Sequence, residues 1–313
     1  LLVEAGVATA AYGTFTDAGQ AKSFLAGLEP PFVIKTDGLA AGKGVAIVPT
    51  RAEADACIDR YLSGEAFGDA GRTLVIEEYL DGDELSVFAA CDGTAAVFMG
   101  AARDHKRIDD GDRGPNTGGM GAFSPVVEVD EALRRQVMDD AVVPTLAALS
   151  RRGIDYRGFL FCGVMLCADG PKVLEYNIRF GDPEAQVILP RLETDLGSLL
   201  AEAAAGRLSS EPRFSADAAV TVVAASEGYP EAPRTGDVIE GLDRAAAMDG
   251  VTVYCAGVDR GADDRLVTAG GRVLAVTARG HDLAEARTRA YEAVDRIEWK
   301  GMHVRHDIGG TTP

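Results

Sequence analysis

Long hydrophobic runs are missing from this chain of 313 residues: it has no stretch of eighteen uninterrupted apolar residues, which excludes a transmembrane helix. Positive charge is scarce, with 31 basic against 49 acidic residues and a net charge of −18. A general affinity for nucleic acid or anionic membranes is therefore not expected, and an anionic ligand must be met by a local group of cations. Cysteine is sparse and unpatterned. Cys57, Cys91, Cys162, Cys167 and Cys255 are odd in number and include no CxxC pair, which argues against a disulfide framework or a cysteine zinc site and for a reducing cytoplasm. Cys162 and Cys167 lie in an apolar run and read as core. The four histidines show no metal spacing beyond His303/His306, a pair read as surface. There is no initiator methionine, no signal-peptide pattern, no internal repeat and no low-complexity tract. The opening LLVEAGVATAAYGTFTD reads as the tail of a helix, a turn and a short strand, so the chain is expected to be a fragment. The closing GGTTP reads as a disordered tail.

Apolar residues make up 47% of the chain, enough to bury sizeable cores, and the length suggests about two domains. Strands are expected at PFVIK and VAIVP, from Phe32, on either side of a glycine-rich loop. A helix is expected over 51–62, with Thr50 and Glu53 as a capping box. A strand over 73–79 follows, and then a hairpin across Asp92-Gly93. Residues 103–125 read as one long polar, glycine-rich loop. A helix over 130–150 contains Pro144, expected at a kink or junction. Strands over 159–167 and 172–176 form a second hairpin, followed by helices over 184–189 and 195–205. Beyond SSEPRFS, at 209–215, the pattern changes to short strands (218–225, 251–258, 266–268 and 272–277) and one amphipathic helix over 282–297. Gly270-Gly271 reads as the hairpin turn between the last two strands.

Several motifs carry chemistry. GLAAGKG, from Gly38 to Gly44, is not a P-loop: the spacing before Gly42-Lys43 is too short, and Gly44 stands where Ser or Thr belongs. With Lys35 on the preceding strand, its backbone N–H groups and the Lys43 ammonium suit the phosphates of a nucleotide; an ordinary hairpin loop is the plainer alternative. The strand end from Glu77 through Leu80 to Glu84 suits an adenine edge, with Glu84 for the ribose hydroxyls, or is simply a solvated strand end. In extended chain Glu175, Asn177 and Arg179 share one face. The first two are hard oxygen donors for Mg²⁺ and the third a clamp for a phosphoryl oxygen; a salt-bridged surface strand is the alternative. Asp104-His105-Lys106-Arg107 and GPNTGGMG, from Gly114, combine cations, glycines, Asn116 and Thr117. They suit a phosphate together with a small carboxylate or amine, although Asp109–Asp112 also reads as a disordered acidic loop.

Taken in order, KTDGLAAGKGV, IEEYLDGDE, DHKR, GPNTGGMGAFSP, VLEYNIRFGDPE, GYP, RTGDVIEGL and GGRVLAVTARG resemble the phosphoribosylamine–glycine ligase family (glycinamide ribonucleotide synthetases), ATP-grasp enzymes of purine synthesis. The resemblance implies an α+β chain: an ATP-grasp fold of two α+β subdomains sandwiching ATP, followed by a small α+β domain. The expected divisions are a remnant at 1–11, a lid subdomain at 12–70, a core subdomain at 71–210 and a closing domain at 216–313. It implies an ATP-dependent ligation of glycine to 5-phosphoribosylamine through glycyl phosphate, with Mg²⁺ or Mn²⁺. By the matching motifs, Lys35, Gly38, Gly42, Lys43, Gly44, Glu77, Leu80 and Glu84 would bind ATP. Arg179 and Lys43 would act in catalysis, and Glu175 and Asn177 would hold the metal. Asp104, Lys106, Asn116, Thr117, Gly118, Gly119 and Asp182 would bind the other substrates. Family members carry a further N-terminal domain, and many ATP-grasp relatives place a metal-binding carboxylate on the strand before EYN, where this chain has Gly163 and apolar neighbours. Another ATP-grasp carboxylate–amine ligase and a non-catalytic ATP-binding fragment stay open as alternatives. No nucleic-acid or membrane partner is expected, and the expected state is a monomer.

Overall fold

The computed structural model describes residues 1–38, 44–209 and 211–310. Gly42, Lys43 and the tail at 311–313 lie outside the described residues, and so do the expectations placed on them. The chain packs as two compact units, one of Ala8–Asp83 with Met165–Leu174, the other of Leu1–Val7, Glu84–Val164 and Glu175–Pro313. A short helix, α1 (Leu2–Ala5), opens the chain and ends at Gly6.

The smaller unit is built on a four-stranded sheet. Its strands are β1 (Tyr12–Phe15), β2 (Phe32–Thr36), β3 (Val45–Val48) and β4 (Leu74–Glu78), in the order β1-β4-β2-β3. Helices α2 (Ala18–Phe24) and α3 (Arg51–Leu62) supply its apolar cover. Ala54, Cys57, Ile58 and Tyr61 recur at helical spacing along α3 and pack with Ile34, Leu74 and Ile76 of the sheet. Thr50 caps α3 by accepting from the Glu53 N–H, while the Glu53 carboxylate takes the Thr50 hydroxyl rather than its backbone N–H, so half of the expected box forms. The sequence reading ends this subdomain at residue 70. Instead β4 pairs antiparallel with both β1 and β2 and carries the unit to Asp83. Partners so far apart along the chain leave no local signature.

A second sheet has eight strands, most of whose residues belong to the larger unit. Its members are β5 (Asp83–Asp92), β6 (Ala96–Asp104), β9 (Gly121–Ser124), β10 (Arg157–Cys167), β11 (Gly170–Asn177), β12 (Ala218–Ala225), β13 (Val251–Cys255) and β16 (Arg272–Gly280). Their order is β11-β10-β5-β6-β9-β12-β16-β13. Residues 103–125, expected as one loop, instead form β7 (Arg107–Asp109) and β8 (Arg113–Asn116) as a hairpin, and then β9. Buried Arg305 fixes that hairpin through the Arg107 carbonyl and the Asp112 carboxylate, and the Asp110 carboxylate accepts from the His306 N–H, so the acidic turn is tied down. The helical stretch over 130–150 is α4 (Glu131–Val137), a π turn at Met138–Val142 and α5 (Val143–Arg151). Pro144 lies at the junction of the π turn and α5, inside a continuous helical run, where its missing N–H cannot join the helical ladder.

The segment expected as the closing domain, 216–313, contributes β12, β13 and β16 to this sheet. Every residue of β12 is buried, because β9 pairs on one edge and β16 on the other. β14 (Val258–Arg260) pairs with β15 (Leu266–Thr268), which overturns the expected 266–277 hairpin. β16 is already paired on both edges, with β12 and β13, and has none free for β15. Helices α6 (Ala185–Ile188), α7 (Leu196–Ala205), α8 (Leu242–Ala246) and α9 (Leu283–Val294) complete the unit. Cys162 is buried as expected, Cys167 is half-buried, and all five cysteines are free thiols. Among the described residues no helix is long and apolar enough to cross a membrane.

The β5–β6 turn depends on one buried carboxylate. Asp92 accepts from the Ala95 N–H at 2.7 Å, the Thr94 N–H at 2.9 Å and, through its other oxygen, the Leu208 N–H at 2.9 Å. These bonds, the Ala95 N–H foremost, hold its carboxyl down at about 2. Asp92→Ala is expected to cost about 2 kcal/mol. The folded value is the lower one, so this stabilisation is present above the usual 3.8 and fades as pH falls toward about 2. Urea melts of both proteins across pH 2–6 check this; a gap that does not narrow with acid contradicts it.

Candidate active site

In the smaller unit, β2 and β4 bring Lys35 and Glu77 together. Their ammonium and carboxylate lie 2.7 Å apart, both largely buried. Glu78 accepts the Ala11 N–H at 2.9 Å, and Leu80 is buried. Gly38 has a packing reason to be glycine: a Cβ there would stand 2.5 Å from the Ala70 Cα. The Gly44 carbonyl accepts the Thr36 N–H at 2.9 Å and closes the base of the loop.

In the larger unit, the ends of β5, β6 and β11 and the turn before α6 converge on a mixed-charge cluster. Lys106 donates to Glu84 in a tight ion pair, so the carboxylate expected to face a ribose is engaged by an ammonium. Burial works against the Lys106 charge, but Glu84, Asp104 and Glu175 outweigh it and hold the ammonium protonated. Asp104 shows the opposite balance. Burial, and then the charge of Glu184, push its carboxyl well above the usual range, against the pull of Lys106 and Arg272. Among the described residues, its Oδ1 is shielded from solvent and has no hydrogen-bond partner. Glu184 is buried and also raised, chiefly by burial; it accepts the Ser86 hydroxyl at 2.9 Å and feels Lys106 and Arg179.

The glycine-rich segment folds back over Lys106. Thr117 donates its N–H and its hydroxyl to the Lys106 carbonyl, at 2.7 and 2.9 Å, and accepts the Gly119 N–H at 3.0 Å. Asn116 ends β8 opposite Arg107. Gly119 has φ +109°, and a Cβ there would meet the Pro183 Cδ at 2.5 Å and the Asp104 Oδ1 at 2.7 Å, so only glycine fits beside that carboxylate. Asp182 anchors the segment through Arg272, at 2.8 Å.

β11 places Glu175 and Asn177 on one face, with the Asn177 amide nitrogen 3.3 Å from the Glu175 Oε1, but it ends at Asn177, so Arg179, expected on the same strand face, lies beyond it. The donor set is a carboxylate and an amide, and it fits a hard divalent cation that keeps phosphate and water ligands. The amide nitrogen, not its oxygen, faces Glu175, so ligation by Asn177 requires the amide turned over. Gly163 lies beneath Glu175, where a Cβ would sit 3.5 Å from the Glu175 Cγ, and offers no third carboxylate. No described group of three His, Cys, Asp or Glu side chains forms a metal cage. Arg179 is exposed and donates to the Phe180 carbonyl at 2.8 Å. Sequence reasoning missed Arg272, Tyr229, Glu184 and Ser86. Glu184 stands inside RFGDPE, Tyr229 inside GYP and Arg272 inside GGRVLAVTARG, so each was within reach as a motif member, whereas the pairing of Arg272 with Asp182, 90 residues away, carried no local signal.

The fold and this site define an ATP-grasp protein. The model of the phosphoribosylglycinamide synthetase ATP-grasp (A) domain matches residues 1–185, and that of the C domain of the same enzyme matches 219–311. The chain is 51% identical over 306 residues to a phosphoribosylamine–glycine ligase of Caulobacter vibrioides, covering 97% of this chain and 71% of the relative. A crystal structure of a phosphoribosylamine–glycine ligase from Thermotoga maritima superposes with a TM-score of 0.90 at 36% identity, over 98% of this chain and 76% of that one. A biotin carboxylase from Campylobacter jejuni shares the fold alone, with a TM-score of 0.72 at 16% identity over 97% of this chain and 66% of that one. The chain belongs to the phosphoribosylamine–glycine ligase family.

Proposed function

We propose that this chain carries the ATP-dependent ligation of glycine to 5-phosphoribosylamine. One glycine carboxylate oxygen attacks the γ-phosphorus of ATP, the bond to the β-phosphate oxygen breaks, and ADP leaves. The amine of phosphoribosylamine then attacks the carbonyl of glycyl phosphate, loses a proton and expels phosphate, giving glycinamide ribonucleotide. Phosphoryl transfer needs positioning and charge neutralisation more than covalent help from the protein. Lys35, and Lys43 outside the described residues, are assigned to the phosphates; Gly38, Gly42 and Gly44 to the loop over them; Glu77 and Leu80 to the nucleotide. Glu84, held by Lys106, keeps its assignment to the ribose only through a free lone pair. Glu175 and Asn177 would hold Mg²⁺ or Mn²⁺, which supplies neutralisation of the phosphate charge. Arg179 is assigned to the transferred phosphoryl group. The net charge of −18 supports small-molecule partners over nucleic acid, and five free thiols support a reducing compartment.

One structural observation carries the substrate assignment. The Asp104 Oδ1 is shielded and unpartnered beside a glycine-only backbone, an arrangement suited to a small ammonium such as that of glycine. Lys106, Asn116, Thr117, Gly118, Gly119 and Asp182 frame it. Trapping with hydroxylamine tests the first half-reaction. With ATP, Mg²⁺ and glycine, the chain is expected to yield glycine hydroxamate and an equal amount of ADP. ADP release without hydroxamate, or hydroxamate from another small carboxylate only, would contradict the assignment.

A further inference from the structure

The backbone of the substrate segment is braced from the C-terminal third of the chain. The Gly118 N–H donates to the Tyr229 hydroxyl at 3.0 Å. On the other side, Arg272 Nη1 lies 2.6 Å from the Gly118 carbonyl oxygen, 3.3 Å from that of Gly119 and 2.7 Å from that of Asp182, and Nη2 lies 2.8 Å from the Asp182 carboxylate. One residue, Gly118, thus has both its N–H and its carbonyl held by side chains more than a hundred residues away in sequence. The space is closed as well: a Cβ at Gly118 would meet the Arg272 Cζ at 3.0 Å. The Tyr229 ring packs on Ile108, Met120 and Ala225, so its hydroxyl is delivered from a fixed position. The Arg272 fork is planar and rigid, which suits it to gathering three carbonyls and a carboxylate.

These contacts end where the site begins. Gly119 abuts the unpartnered Asp104 Oδ1, so a shift of the 118–119 backbone moves the wall against which the substrate ammonium is to be seated. We infer that Tyr229 and Arg272 are positioning residues for the amino-acid substrate, holding the Gly118-Gly119 backbone against Asp104 from the C-terminal part of the fold. The inference rests on the reading that this segment takes glycine. Neither residue touches the reacting atoms in this account. Their effect belongs to glycine recognition and not to phosphoryl transfer.

Tyr229→Phe keeps the packed ring and removes only the acceptor. Arg272→Lys keeps the charge and removes the fork. In the full chain, each is expected to speed backbone amide exchange at 117–120 by about tenfold, the factor for one lost hydrogen bond, with the rest of the larger unit unchanged. In the hydroxylamine assay each is expected to raise the glycine KM by about tenfold, with kcat and the ATP KM within about threefold of wild type. Unaltered exchange at 117–120 in both variants, or kcat falling with every KM unchanged, would overturn the inference. The two readings fail separately. If the variants loosen 117–120 but the wild-type chain shows no glycine saturation, the function reading falls and the brace stands. If a glycine-dependent wild type gives variants with unaltered exchange, the brace falls and the function stands.

Discussion

Arg179→Ala is expected to lower the rate of glycine-dependent ADP formation by about a thousandfold while leaving the fold intact, since an arginine that meets the charge of a transferring phosphoryl group is worth about 10³–10⁵ in kcat. The structure separates the two effects. Arg179 is exposed, and its hydrogen bond runs to the carbonyl of its own neighbour, Phe180, so its loss opens no cavity and strands no distant partner. Its charge also lowers the carboxyl of buried Glu184, against the effect of burial. Arg179→Lys is expected to recover only a small part of the rate, because a point charge replaces a planar fork. Single-turnover kinetics with a urea melt as control measure both. A loss of less than about tenfold with an unchanged melt would remove Arg179 from the phosphoryl-transfer step.

Asp104→Asn is expected to do two opposite things. The glycine KM rises by about 100-fold, the equivalent of about 2.7 kcal/mol, as a shielded ammonium loses its counter-charge. The folded protein at neutral pH becomes more stable by about 1 kcal/mol, because the amide removes a shielded charge with an unpartnered oxygen beside Glu184 and Glu84. The sign follows from protons bound. The Asp104 carboxyl is raised in the folded state, so the native chain binds more protons than the unfolded one, and its contribution weakens as pH rises above the usual 3.8. Lys106 and Arg272 oppose that slope, and their attraction for Asp104 is what Asn gives up. Glycine titrations and denaturant melts of the two proteins at pH 5 and pH 8 check this, with the Asn protein gaining more at the higher pH. A variant less stable at both pH values would mean that Asp104 is chiefly a structural partner of Lys106.

How much of this was legible in the sequence depended on whether the cause was local. The helix Arg51–Leu62 and the strands Ala218–Ala225 and Leu266–Thr268 fall where caps, helical spacing and apolar runs set them. The face shared by Glu175 and Asn177 follows from strand alternation alone. Pairing was not legible. The choice of β9 by β12 and of β1 by β4 is settled by burial across the assembled sheets, not by any residue near a turn. Residues 103–125 read as a loop because their glycines and charges mask a hairpin that Arg305, from the far end of the chain, holds in place. The same limit hid Arg272 and Tyr229. Each stands inside a motif, GYP or GGRVLAVTARG, but acquires a role only where β16 and the segment after β12 reach Gly118.

The most direct test of the central claim is ADP release in the presence of Mg²⁺ with glycine, with phosphoribosylamine, with both, and with a panel of other small carboxylates. It is run on this chain and on the chain joined to the N-terminal part of a family member. The joined protein is expected to release ADP fully only with glycine and phosphoribosylamine together. A joined protein that folds, binds ATP and ignores glycine while consuming another carboxylate would contradict it and leave only the ATP-grasp fold standing.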